Sequence, residues 1–189
     1  MPNMDWCKNS PRRLAPTFAR ARLFMDRPSY LLELAQALAA RRPKFFTIKG
    51  PSVGDRDTAE FMRELRNRAR QQFGHDFAEK KICGENNLCV DFYFPEEATI
   101  VEVALGLRNP TSEFERDILK AIMAQEFGQR VDKLLFILKP GALKRCAQPG
   151  ARAITSWAKR VHRIAVEVRE IQSGASISRL RTAPVGGQR

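Results

Sequence analysis

Histidine is nearly missing from this chain, with His75 and His162 the only two among 189 residues. Ser-His-Asp or Cys-His chemistry, and zinc hydrolases that use several histidines, therefore have few residues to draw on. Four cysteines, Cys7, Cys83, Cys89 and Cys146, are scattered without a CxxC pair. That pattern speaks against a structural zinc site and fits free thiols in a reducing compartment. No apolar run approaches the roughly 18–20 residues that cross a bilayer, and the N-terminus lacks the apolar centre of a secretory signal. No membrane role and a cytoplasmic location are the expectations.

Positive charge is abundant and unevenly placed. The formal net charge is +12. Residues 1–50 carry +7 and residues 173–189 carry +3 with no acid, which leaves only +2 on residues 51–172. Basic ends on a nearly neutral body suit a polyanion, because each neutralised phosphate releases counterions without reading sequence. An acidic protein partner, or solubility alone, would use the same ends. Three regions follow: a basic arm and helix packed on the core (1–50), an α/β core (51–172) and a basic tail (173–189) rich in Ser, Gly, Ala and Arg.

The order of elements is legible from periodicity. Tyr30–Arg41, after Pro28 and Ser29, predicts a helix, and Lys44–Lys49 a short strand or connector. Asp57–Phe73 predicts a helix with Phe61, Met62, Leu65, Ala69 and Phe73 on one face. Three strands at Phe77–Ile82, Leu88–Phe94 and Thr99–Leu105 are separated by turn-like stretches short enough for hairpins. A helix from Asn109 to about Phe127 follows, then an apolar strand ending at Leu138, a helix over 151–159 and a final strand Ile164–Ile171. Trp157, at helical spacing from Ile154, is expected in the core in preference to serving as a base-stacking platform. This αβββαβαβ order predicts a mixed sheet of about five strands flanked by helices, with an N-terminal helical extension.

Two residues break the apolar pattern. Asp91 stands alone in the strand LCVDFYF and Glu102 alone in TIVEVAL. A carboxylate in mid-strand costs several kcal/mol to bury unless it is paired or holds a cation. Either both acids reach solvent and pair with Lys80 or Lys81 across strands, or they meet on one face. In the second case two hard oxygen donors suit Mg²⁺, which can activate a water and stabilise charge in phosphodiester cleavage.

The element order over residues 57–171, with Val90-Asp91 on the second strand and Glu102-Val103-Ala104 on the third, resembles the PD-(D/E)xK, or restriction-endonuclease-like, nucleases. The resemblance implies that core fold and a Mg²⁺- or Mn²⁺-dependent endonuclease acting on DNA, with Asp91 and Glu102 as catalytic metal ligands. It also implies a lysine where this chain has Ala104. Lys120, on the stripe Glu113, Asp117, Lys120 of the following helix, is the candidate replacement; its alternative role is a solvated partner of Asp117. Glu64, or Glu60, is the candidate for the extra acid that the family carries on its first helix. Arg108 closes the third strand where a phosphate would lie, and Lys144, Arg145 and Arg152 form a second basic cluster for DNA. Restriction-like cores often pair, so a homodimer is a further implication. The competing implication of Ala104 is a nuclease fold that binds DNA or serves as a scaffold without cutting.

Overall fold

A computed structural model of the protein describes residues 25–42, 46, 53–105 and 110–172. The expected connector Lys44–Lys49 lies outside these residues except for Phe46, as do the N-terminal arm through residue 24, the tail from residue 173, and Arg108.

Ten elements follow in chain order: α1 (Arg27–Ala40), α2 (Val53–Phe73), β1 (Ala78–Lys80), β2 (Val90–Phe94), β3 (Thr99–Ala104), α3 (Pro110–Glu126), β4 (Lys133–Leu138), α4 (Leu143–Cys146), α5 (Pro149–His162) and β5 (Ala165–Glu170). Helix α1 starts earlier than its apolar pattern because Asp26 caps it, accepting from the Ser29 N–H at 2.8 Å, and Pro28 fits the first turn. Helix α5 likewise begins at a proline, Pro149, and ends where Arg163 turns left-handed at φ 61°. The single turn α4 has no counterpart in the expected order, since four residues are too few to show a period. Strand β1 is shorter than expected, and within it Glu79 adopts φ 48°, which interrupts regular extension.

The strands form one mixed sheet in the order β1-β2-β3-β4-β5. The β1-β2-β3 meander is antiparallel and β3-β4-β5 is parallel, with α3 crossing from β3 to β4 and α4-α5 from β4 to β5. Helices α1 and α2 cover one face, placing Leu31, Leu38, Phe61 and Leu65 on Phe92, Phe94, Val101, Leu135 and Ile137. Helices α3 and α5 cover the other, where Phe114, Ile118 and Ala158 meet Ile100, Leu134, Phe136 and Leu138. Central β4 is buried on both faces, as its unbroken apolar run requires. The α/β class, the five-stranded mixed sheet and the flanking helices are therefore as expected. Among the described residues no helix is long and apolar enough to cross a membrane.

Alternation fails at one place. Val90 packs into the α3/α5 core, while Phe92 and Phe94 pack under α1 and α2. Residues two apart on a regular strand share a face, so β2 turns over at Asp91.

Candidate functional site

The β2-β3 ladder pairs Phe94 with Thr99, Tyr93 with Ile100 and Phe92 with Val101. Continued by one residue, that register sets Asp91 opposite Glu102. The ladder stops before the next hydrogen-bonded rung, Val90 with Val103, where the Val103 N–H donates instead to Asp91 Oδ2 at 2.8 Å. A side-chain carboxylate takes the place of a strand carbonyl. Strand β3 remains paired with β4 through Ala104 opposite Leu138. Asp91 thus stands at the mouth of a fork between two strands.

From the α2 side, Arg66 approaches Asp91 Oδ1 at 3.8 Å and binds Glu79 at 2.5 Å. From the other side comes Glu102, which shares its face with Ile100 and Ala104 and is 3% exposed. Its partner is Lys120 of α3, whose Nζ lies 2.6 Å from Glu102 Oε1 and 2.8 Å from Asp117 Oδ1, and donates to the Cys89 carbonyl at 2.9 Å. An ammonium has three hydrogens, and three acceptors surround this one. Neither Glu102 Oε1 nor Asp117 Oδ1 makes a hydrogen bond of good angle, so charge attraction dominates these two contacts. The Cys83 thiol donates to the Lys120 carbonyl at 3.4 Å and closes the floor.

The electrostatics follow from burial. Desolvation, then the charges of Asp91 and Asp117, push the Glu102 carboxyl well above its ordinary value against the pull of Lys120. Burial raises Asp117 as well, opposed by Lys120. Burial alone would lower Lys120, but the charges of Glu102 and Asp117 outweigh it and hold the ammonium above its usual range. Two carboxyl groups thus crowd one buried ammonium, with Asp91 and the Arg66 guanidinium at the rim. The cluster keeps an excess of negative charge unless it takes up a proton or a further cation.

The chain matches no family model, no curated protein and no solved structure.

Of the residues singled out in the sequence, Glu102 and Lys120 meet at 2.6 Å, and Asp91 lies near enough for its charge to act on Glu102. Several expectations are corrected. Glu102 does not reach solvent to pair with Lys80 or Lys81, and the Asp117–Lys120 pair is not solvated, since these residues are 7% and 6% exposed. Glu64 does not join the cluster: it binds Arg42 at 2.7 Å and also Arg68, while Glu60 binds Arg42 at 3.0 Å. The α2 residue that reaches Asp91 is Arg66, two positions on and about 200° around the helix. Lys144 and Arg152 are exposed on α4 and α5, and Arg145 also belongs to α4. Trp157 is not a core residue; it is 41% exposed while Ala158 beside it is buried. Asp117 and Arg66 are the participants that sequence reasoning missed, although the i,i+3 spacing of Asp117 and Lys120 was visible.

Among the described residues no three His, Cys, Asp or Glu side chains converge as a metal-binding group. The donor set is oxygen only, and its unbalanced negative charge fits a hard cation bound by one or two carboxylates and otherwise by water or phosphate.

Proposed function

We propose that the chain is a divalent-metal-dependent nuclease that hydrolyses DNA phosphodiester bonds through Asp91, Glu102 and Lys120, with a restriction-endonuclease-like core. The observation that carries this reading is the buried Lys120 ammonium 2.6 Å from Glu102. It supplies from α3 the cation that Ala104 leaves missing from β3, beside an acid that faces Asp91 across the fork. Asp91 and Glu102 would hold Mg²⁺ or Mn²⁺, and an ion of this kind makes a bound water more acidic and offsets charge on a phosphoryl oxygen. Glu102 would give up the proton that its raised pKa retains as the ion enters, so affinity for the ion would rise with pH. Lys120 would hold Glu102 in position, and Arg66 would anchor Asp91 at the rim. Cytoplasmic location and pairing into a homodimer belong to the same proposal.

A second reading is favoured by the same lysine. The ammonium is hydrogen-bonded to the Cys89 carbonyl and ion-paired with Glu102 and Asp117, an arrangement suited to a locked structural cluster in a nuclease fold that binds DNA without cutting it.

A plasmid-nicking assay with Mg²⁺ or Mn²⁺ separates the two. The nuclease reading expects cleavage by the parent chain that falls by about a hundredfold or more in both Asp91→Ala and Glu102→Gln. Cleavage indifferent to both changes would remove the site. A parent chain that binds the plasmid but never nicks it would establish the second reading.

A further inference from the structure

Helix α5 carries a feature that the carboxylate cluster does not use. Between Asp132 and Glu167 the chain has eight lysines and arginines and no acid. Much of this charge is displayed on one element: Arg152, Lys159 and Arg160 of α5 and Arg163 at its cap are all exposed. Two apolar side chains of the same helix also stand out of the core, Trp157 at 41% and Val161 at 53% exposure. Four residues apart, they are neighbours on one flank of the helix, and Arg160, three residues on from Trp157, is the cation beside the indole. The inner side of α5 is committed to the sheet through Ala151 and Ala158. The indole is also steadied, because the His162 ring meets it edge-on with centroids 4.8 Å apart.

An exposed indole keeps apolar area in water, and a steadied indole beside Arg160 on a basic helix offers both parts of a single-strand site. The cations track phosphates and the ring stacks on a base, which every nucleotide presents once it is unpaired. A duplex would meet the same charge but keeps its bases stacked inside. A lipid surface is disfavoured because the large apolar side chains that α5 exposes are Trp157 and Val161 alone, too little area to enter a bilayer.

We infer that α5 binds single-stranded nucleic acid, with Trp157 stacking on a base, Arg160 beside it contacting the backbone, and Arg163 and Arg152 continuing the basic track around the helix. This rests on the nuclease reading only in naming the kind of substrate that would be held; the binding itself needs no cleavage.

The test therefore reads binding in EDTA. Trp6 and Trp157 are the two tryptophans, so Trp6→Phe leaves Trp157 as the sole indole reporter. Oligo(dT) of about 20 nucleotides should quench it, and the affinity should fall with salt with a slope of about −0.7 per phosphate contact. By anisotropy of labelled oligonucleotide, Trp157→Ala should weaken binding at least about fivefold, and Arg160→Glu with Arg163→Glu at least about tenfold. Heparin, a polyanion without bases, should bind without the stacking quench. Three results would each overturn the inference: no oligonucleotide binding, binding that leaves Trp157 emission and both variants unaffected, or a blue shift on phosphatidylserine vesicles in place of the oligonucleotide response. A chain that binds here yet never cuts refutes the nuclease reading alone; one that cuts with Trp157 silent refutes this inference alone.

Discussion

Replacing Lys120 with methionine keeps most of the side-chain volume and removes the charge. In the parent protein the ammonium lies 2.6 Å from Glu102 and 2.8 Å from Asp117, whose side chains are only 4% and 9% exposed. Without it, two carboxylates remain in a region where water cannot compensate them, and the Cys89 carbonyl loses its donor. Breaking a buried pair from one side costs about 3–5 kcal/mol, because the remaining charge is left uncompensated. For a domain of this size that corresponds to a fall in Tm of roughly 6–20 °C. In urea the midpoint should drop with m unchanged. Protonation can relieve the orphaned acids, so the loss should be smaller at about pH 5 than at about pH 8. Adding Glu102→Gln and Asp117→Asn to Lys120→Met should recover much of it. A loss below about 1 kcal/mol would mean that the pair behaves as a solvated surface contact, and the picture of a buried cluster would be wrong.

Two further outcomes follow from single residues. Because burial and neighbouring acids raise the Glu102 carboxyl, the folded chain binds a proton there more tightly than the unfolded chain does; its contribution is complete below the ordinary carboxylate range and is lost as pH climbs through the raised value. Asp117 acts with the same sign, and Lys120, raised from an already high value, lies outside that window. Glu102→Gln should reduce this part of the slope, and parallel denaturant series across pH that leave it unaltered would refute the assignment. Gly84 adopts φ +92°, where a β-carbon is strained and would run into the Phe127 ring. Gly84→Ala should cost about 1–3 kcal/mol by chemical denaturation, and a neutral result would show that this turn relaxes freely.

The sheet and its two helical layers were legible because their signals are local and strong. The short, turn-bounded apolar runs of β2 and β3, the unbroken apolar run of β4, and the Phe61, Met62, Leu65, Ala69 stripe of α2 each favour one type of element. Glu102 was visible as an anomaly for the same reason, an acid where every neighbour is apolar. What stayed hidden depends on depth. The Asp117–Lys120 spacing is the same whether the pair faces water or a sheet, and only the arrival of Glu102 from β3 decides it. Arg66 belongs to a row of arginines interleaved with Glu60 and Glu64, a pattern that suits nucleic-acid backbone contacts and a solvated face equally; its approach to Asp91 at 3.8 Å shows only in three dimensions. Trp157 was misplaced because α5 buries alanines, Ala151 and Ala158, so the largest apolar residue does not mark its inner side.

The bond from the Val103 amide to Asp91 has a mechanical consequence. Elsewhere in the hairpin, interstrand spacing is set by main-chain geometry that every residue type shares. At this rung a single side chain stands in for the main chain, so the joining of the two arms depends on the length and rotamer of one residue. A substitution there would rewrite the local pairing of the sheet, which a substitution at an ordinary strand position does not.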